Sequence, residues 1–324
     1  MSRHFISRAT SLGVLAAALL FASAASQAAS QGATQAASGD CDRACLRQTL
    51  DAYLAGVFKH DPGAAGLTDD FVATENTVET HKGEGFWKSV SGYGALQRRY
   101  LDPVNESAAY FGLLTKDGHD QITSLRVQVQ GRKVSEAEWI FGTQGPGGVG
   151  EANPAGLVKS PPPNGALPAS ERTSRFMMIS LPNDYFQAVQ DHDGSWVPND
   201  PSCVRIENGG GTTTNARPAG APPAQAYGKV YGQGGCLDNF ANFNHLTKDL
   251  ALRRIPVVDE EAGVALGTAI YVRYPGLPNL ANLVHEYFLI RNGKIAGLWT
   301  SMYFLPHGTP VTSGWENKQG GVER

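Results

Sequence analysis

Carboxylates spaced along strand-like segments are the residues of this sequence best suited to chemistry. Glu75 and Glu207 each end a predicted strand, and each is followed by Asn. A carboxylate at the edge of an apolar cavity is poorly hydrated, so its pKa rises and it can act as a general acid or base near neutral pH. The same Glu-Asn pair would also cap a strand and order the next turn through backbone hydrogen bonds. Glu136 and Glu138 share a strand face with Val134 and Ile140. Facing inward, about 7 Å apart, they would share a proton load; facing outward, they are solvated charges. His285 and Glu286 are strand neighbours that point to opposite faces, so one of them faces an interior. Tyr185, Arg175 and Arg205 are donors suited to an oxyanion or a substrate carboxylate. Arg205 also shares a strand face with Glu207, where an internal ion pair is the simpler reading. The candidate catalytic set is Glu75, Glu136, Glu138, Tyr185, Glu207, His285 and Glu286, with Trp87, Arg175, Arg205, Asn208 and Trp299 as candidate substrate contacts.

Other chemistries lack their residues. His60-Asp61 and His192-Asp193 resemble half a catalytic triad, but each follows a predicted helix, where a C-terminal cap and turn account for it. The 8 histidines show no HxxxH, HxH or HExxH spacing, so no metal site is expected. No Gly-rich phosphate loop joins a strand to a helix and no Gly-x-Ser-x-Gly elbow is present, so no cofactor is expected either. A net charge of -3 without basic runs argues against nucleic acid and membrane surfaces as main partners. The 4 cysteines read as two local disulfides, Cys41 with Cys45 and Cys203 with Cys236.

Residues 1–28 read as a cleaved signal peptide, with Arg3, His4 and Arg8 before the apolar run Leu12 to Ala22, which places the protein in the periplasm or outside the cell. Residues 29–40 form a flexible leader. Helical spacing of Leu46, Leu50, Tyr53, Leu54 and Val57 opens a first domain over 41–145. A strand at Phe71 to Thr77, a helix over Gly83 to Tyr100, and a hairpin of Ile122 to Val129 with Val134 to Phe141 follow within it. A Gly/Pro-rich linker spans 146–169. The second domain, 170–315, repeats the order: a helical region over Ser170 to Gln190, a strand at Cys203 to Glu207, an insertion over 209–235, and a helix over Leu237 to Leu252. Strands at Arg254 to Val258, Gly263 to Tyr274, Leu283 to Ile290 and Lys294 to Phe304 complete it, before a tail at 316–324. Helices followed by antiparallel strands describe an α+β unit in which a curved sheet wraps over helices.

The two domains resemble each other. Asp51 to Thr77 aligned with Asn183 to Gly209, at an offset of 132, gives seven identical pairs in 27 positions, among them Tyr53/Tyr185, His60/His192, Glu75/Glu207 and Asn76/Asn208. Unrelated sequence would give roughly two. Gln130 to Val134 matches Arg291 to Ile295 at an offset of 161, which assigns 29 extra residues to the second copy.

The order of elements, ending in Phe288-Leu289-Ile290-Arg291-Asn292-Gly293-Lys294-Ile295 and an aromatic strand, resembles the SnoaL-like branch of the nuclear transport factor 2-like superfamily. The doubled arrangement, with Tyr53, His60-Asp61-Pro62, Thr74-Glu75-Asn76, Gly83-Glu84-Gly85-Phe86-Trp87, Arg175, Glu207-Asn208-Gly209 and Arg253 to Asp259, is similar to an uncharacterised secreted family of fungi and bacteria. The resemblance implies two tandem cone-shaped α+β barrels, each with a curved antiparallel sheet around an apolar pocket. That implied pocket, taken with the ionisable residues on the predicted strands, points to an enzyme of dehydratase, isomerase or hydrolase type acting on a small organic molecule without a cofactor; the alternatives are a non-catalytic ligand-binding protein and an assembly protein. Face-to-face packing of the two sheets within one chain would make the protein a monomer.

Overall fold

The computed structural model describes residues 41–143, 152–211, 236, 247–276 and 281–315. The expected signal peptide and leader, part of the linker, most of the insertion and the tail lie outside the described residues. All of the described residues belong to one compact unit.

Helix α1 (Arg43–Phe58) starts where the Asp42 carboxylate accepts the Cys45 N–H at 2.9 Å, a side-chain N-cap. Its Leu46, Leu50, Tyr53, Leu54 and Val57 form one buried stripe. His60, in the left-handed region at φ 55°, turns the chain after it. Six strands follow: β1 (Leu67–Glu75), β2 (Val78–Thr80), β3 (Val90–Asp102), β4 (Ser107–Lys116), β5 (His119–Gln130) and β6 (Lys133–Phe141). They form a sheet in the order β2-β1-β6-β5-β4-β3, antiparallel except for the parallel β1–β6 pair.

A short helix α2 (Pro154–Lys159) precedes α3 (Arg175–Asp191), whose buried Met178, Leu181, Tyr185, Phe186 and Val189 repeat the stripe of α1. The helix ends at His192, again left-handed at φ 59°. A second sheet follows, from β7 (Asn199–Glu207), β8 (Gly210–Gly211), β9 (Thr247–Asp259), β10 (Val264–Arg273), β11 (Ala281–Arg291) and β12 (Lys294–Phe304). Its order, β8-β7-β12-β11-β10-β9, repeats that of the first, including the parallel β7–β12 pair. The fold is α+β. Disulfides link Cys41 to Cys45 and Cys203 to Cys236.

Each helix covers one face of its own sheet. The other faces meet, packing Leu96, Phe111, Leu113 and Ile122 of the first sheet with Val257, Leu266, Tyr287 and Trp299 of the second. Polar links cross this seam: Ser107 donates to the Pro256 carbonyl at 2.8 Å, and Tyr287 to the Tyr110 carbonyl at 3.2 Å. Two arginines fasten its rim. Arg43 of α1 grips Asp259 of β9 at 2.7 and 3.0 Å, and Arg175 of α3 grips Asp102 of β3 at 2.9 and 2.8 Å.

Two further segments border the seam. Leu157 of α2 packs into the cluster shared by the two sheets, and Trp299 donates to the Ser160 carbonyl at 2.9 Å. The segment after β12 returns to the first sheet, and Trp315 donates to Thr74 at 2.8 Å with the Arg126 guanidinium 5.2 Å from its ring.

Several expected elements differ. Gly83 to Tyr100 is not a helix: a 3-10 turn at Gly85–Lys88 leads directly into β3. The period-two signal of β3 is broken by a register shift between Tyr93 and Gln97. Strand β9 likewise occupies Thr247 to Leu252, where a helix is expected; its register shifts, with Leu252 at φ 54°. Strand β4 was not expected, because it is buried on both faces and its Ala/Phe/Leu run has no alternation. Each sheet is mixed rather than purely antiparallel.

Candidate functional site

Strand pairing aligns the interiors of the two halves residue by residue. In the first sheet Glu75, Trp139, Leu125 and Tyr110 form a row across β1, β6, β5 and β4. The matching row in the second sheet is Glu207, Thr300, Glu286 and Gly267 across β7, β12, β11 and β10. Two residues before Glu75 stands Ala73, whereas two before Glu207 stands Arg205. Four residues beyond Tyr110 and Gly267 stand Leu114 and Tyr271. The same fold therefore carries Trp, Leu, Ala and Leu in one interior and Thr, Glu, Arg and Tyr in the other. Burying ionisable groups costs stability unless they are paired, so packing does not account for the second set.

In the second interior these side chains converge beneath α3. Tyr271 donates to the Glu286 carboxyl at 3.2 Å, Tyr185 of α3 is hydrogen-bonded to Tyr271, and Thr300 stands beside Glu286. Arg205 pairs with Glu207. All are buried. Burial raises the Glu286 pKa to about 8; Arg205 opposes the rise and Glu207 adds to it. A carboxyl that titrates there can give or take a proton near neutrality. Burial also holds the Tyr185 and Tyr271 hydroxyls well above their ordinary pKa, which keeps them as donors. The space over Gly267 is taken by the rings of Phe186 and Phe288, which an added Cβ would approach to 2.9–3.0 Å.

The first interior is packed with aromatic rings. Trp139 donates to the Tyr53 hydroxyl at 3.1 Å, and Trp87 meets Tyr53 edge-on at 5.6 Å between centroids. Glu75 is half-buried at its margin and accepts the Phe86 N–H at 2.7 Å. Burial raises its pKa to about 7, opposed by the Phe86 N–H and Lys116. Gly85 is required here: at φ 59° its Cβ would lie 2.1 Å from the Glu75 carboxylate.

The remaining candidates lie elsewhere. Glu138 and His285 sit in the seam between the sheets: Arg254 donates to Glu138 at 2.6 Å, His285 Nδ1 contacts the Ser124 hydroxyl at 2.8 Å, and His285 Nε2 lies 3.5 Å from Glu138. Ser124, His285 and Glu138 have the composition of a hydrolytic triad. The Ser124 hydroxyl is shared with Tyr287 at 2.6 Å, and Glu138 is held by Arg254, so these side chains tie the two sheets together. Glu136 pairs with Arg126 on the same face.

Arg175 is committed to Asp102, and Trp299 faces the opposite sheet. Asn208 is a turn residue at φ 44° whose side chain accepts the Met302 N–H at 2.7 Å; Asn76, at φ 47°, does the same with Phe141 at 3.0 Å. The two His-Asp pairs follow the helices, with Asp61 accepting the Gly63 N–H and Asp193 the Ser195 N–H, each at 2.9 Å.

Of the expected catalytic residues, the structure brings together Tyr185, Glu207 and Glu286, with Arg205 beside them. Sequence reasoning missed Tyr271 and Thr300. Their signal is the loss of apolar side chains relative to Leu114 and Trp139, which becomes readable only once the strands are in register.

The family described as "Domain of unknown function (DUF8021)" matches residues 171–301, the part of the chain that carries this cluster. No curated protein matches the chain. Among solved structures, an NTF2-like protein of unknown function from Cytophaga hutchinsonii ATCC 33406 is similar at 11% identity, over 30% of this chain and 88% of its own, with a TM-score of 0.26. A protein of unknown function with a cystatin-like fold from Methylobium petroleophilum PM1 is similar at 13% identity, over 33% of this chain and 82% of its own, with a TM-score of 0.28.

Proposed function

We propose that the second half of this chain is an acid–base enzyme that works without a cofactor on a small organic substrate, by elimination, isomerisation or hydrolysis. One observation carries the reading: the Glu286 carboxyl, bonded to Tyr271 and wholly buried, stands in the row position where the first half has Leu125. In this reading Glu286 transfers the proton, Tyr271 and Tyr185 donate to the substrate oxygen, and the Arg205–Glu207 pair sets the local charge. The first half is the structural partner. The two halves descend from one duplicated cone, supported by the repeated residue pairs and matching strand orders. The mature protein is exported as a monomer whose sheets form an internal pseudo-dimer. Two disulfides fit an oxidising compartment.

The test is a proton-transfer screen. Small carbonyl compounds, hydroxy acids and epoxides are incubated with the protein in deuterated buffer and followed by proton NMR for exchange or conversion. Glu286→Gln is expected to lower turnover at least a hundredfold while leaving ligand affinity within a few-fold. A Glu286→Gln protein that turns over at the original rate would remove the proposal.

A further inference from the structure

The chain after α2 runs as a strap from one sheet to the other. The Pro162 carbonyl accepts from Arg98 Nε at 2.8 Å and the Pro163 carbonyl from the Tyr100 hydroxyl at 3.2 Å, both donors on β3. The Leu167 N–H then donates to the Glu261 carbonyl at 2.7 Å, in the turn between β9 and β10. Between these anchors stand Asn164, Gly165 and Ala166, all exposed, with Gly165 at φ 91°. Among the described residues, none hydrogen-bonds to the Asn164 side chain or to the Gly165 N–H.

An asparagine followed by glycine is prone to lose its side-chain amide. The glycine nitrogen attacks the asparagine Cγ, and with no Cβ on the glycine nothing impedes the approach. The sequence holds three such pairs: Asn164-Gly165, Asn208-Gly209 and Asn292-Gly293. The fold protects two of them. Asn208 is fully buried; its amide donates to the Thr143 and Met302 carbonyls at 3.1 and 3.0 Å and accepts the Met302 N–H at 2.7 Å, which fixes the side chain. Asn292 is exposed, but the nucleophile beside it is engaged, because the Gly293 N–H donates to the Thr173 hydroxyl at 3.0 Å. The Asn292 N–H is held too, by the Glu171 carbonyl at 2.8 Å, and the pair sits at φ 51° and 69° in the hairpin turn between β11 and β12. Of the three, Asn164 alone combines exposure with an unbonded amide and an unbonded nucleophile.

We propose that Asn164 is a site of spontaneous deamidation, and that the fold directs the reaction to it in preference to Asn208 and Asn292. Base takes the Gly165 N–H proton, the nitrogen bonds to Asn164 Cγ, and the amide nitrogen leaves as ammonia after taking a proton from solvent, which closes a succinimide ring. Water then adds to either ring carbonyl and opens it to aspartate or isoaspartate. The net change is one water consumed and one ammonia released, with no oxidation or reduction. Either product puts a carboxylate on the strap, and isoaspartate also lengthens its backbone by one atom between the two anchors. This inference is independent of the reading of the second half as an enzyme.

The test ages the full chain in mildly alkaline buffer made with oxygen-18 water, folded in one sample and in denaturant in another, and then maps peptides by mass spectrometry. The heavy oxygen marks conversion during ageing and excludes conversion during digestion in ordinary water. In the folded chain the peptide carrying Asn164 is expected to take up the label about tenfold or more faster than those carrying Asn208 and Asn292, since each protecting hydrogen bond must first be broken. In the unfolded chain the three rates should converge to within a few-fold, and isoaspartate at Asn164 should be detected by enzymatic methylation of its carboxylate.

An Asn292 or Asn208 peptide that converts as fast as Asn164 in the folded chain would overturn the proposal. So would an Asn164 that stays intact in the folded chain while the unfolded chain reacts. Three rates as unequal in denaturant as in the native protein would show that local sequence, and not the fold, selects the site.

Discussion

Arg43 and Asp259 lie far apart in the sequence, yet the guanidinium grips both carboxylate oxygens, at 2.7 and 3.0 Å, and Asp259 is fully buried. The grip is reciprocal, since Arg175 holds Asp102 in the same way. Each aspartate also accepts a backbone N–H across the seam at 2.8 Å: Asp259 from Leu101 and Asp102 from Val258. Helix α1 is thus tied to the second sheet and α3 to the first. Neither half keeps its own rim without the other.

Loss of either grip should therefore loosen the whole molecule. Arg175→Met and Arg43→Met each leave a buried carboxylate without its counter-charge, and each should cost about 3 kcal/mol. Urea denaturation should show a single transition shifted to lower concentration in both variants. Two separated transitions in either one would show that the halves unfold independently.

Stability should depend on pH through Glu286. Its folded pKa of about 8 lies above the ordinary carboxyl value. The folded state therefore holds a proton that the unfolded chain gives up from about pH 4.5, and the stability this confers is complete below that pH and lost as pH rises through about 8. Glu286→Gln removes the loss. It should be more stable than the parent by a few kcal/mol at pH 8, with the difference shrinking toward pH 5. A constant difference across that range in thermal unfolding would contradict this.

His285 should act in the opposite sense. Burial lowers its pKa, with Glu138 opposing the shift and Arg254 and Arg126 adding to it. The folded state is therefore stabilised above the unfolded value of about 6.5 and loses that stability as pH falls through it. Burial pushes Glu138 up, but Arg254, His285 and Arg126 overcome it and hold the group below the usual carboxylate range, which adds a further loss below about pH 4.5. His285→Asn should flatten the decline between pH 7 and 5 at the expense of stability at pH 7. An unchanged slope in that variant would show that another group causes the acid sensitivity.

The disulfides should differ in worth by the loops they close. The Cys203–Cys236 bridge has a sequence separation of 33 and Cys41–Cys45 one of 4. Chain-entropy reasoning gives about 4 and about 2 kcal/mol respectively. Serine pairs at each bridge, compared by chemical denaturation, should preserve that order.

The α stripes and the closing hairpins were legible because their patterns are local: 3.6-residue spacing in α1 and α3, and period two with an Asn-Gly turn between β11 and β12. Strands β3, β4 and β9 were not, since bulges break their alternation or burial on both faces erases it. The same divide runs through the candidate site. Tyr185, Glu207 and Glu286 stood out as ionisable residues on predicted elements. Tyr271 and Thr300 gain meaning only from the partner strand, and so does the division of His285 from Glu286 between seam and interior.

The position of Trp315 sets an order of assembly. It follows the last strand of the second sheet, yet it seals Thr74 and Arg126 in the sheet that is synthesised first. A ribosome releases that sheet's residues long before the tryptophan that caps them, so this part of the early half is completed only after the second sheet has been made. Chains cut short before this residue should keep every strand and still reach their native packing slowly or incompletely.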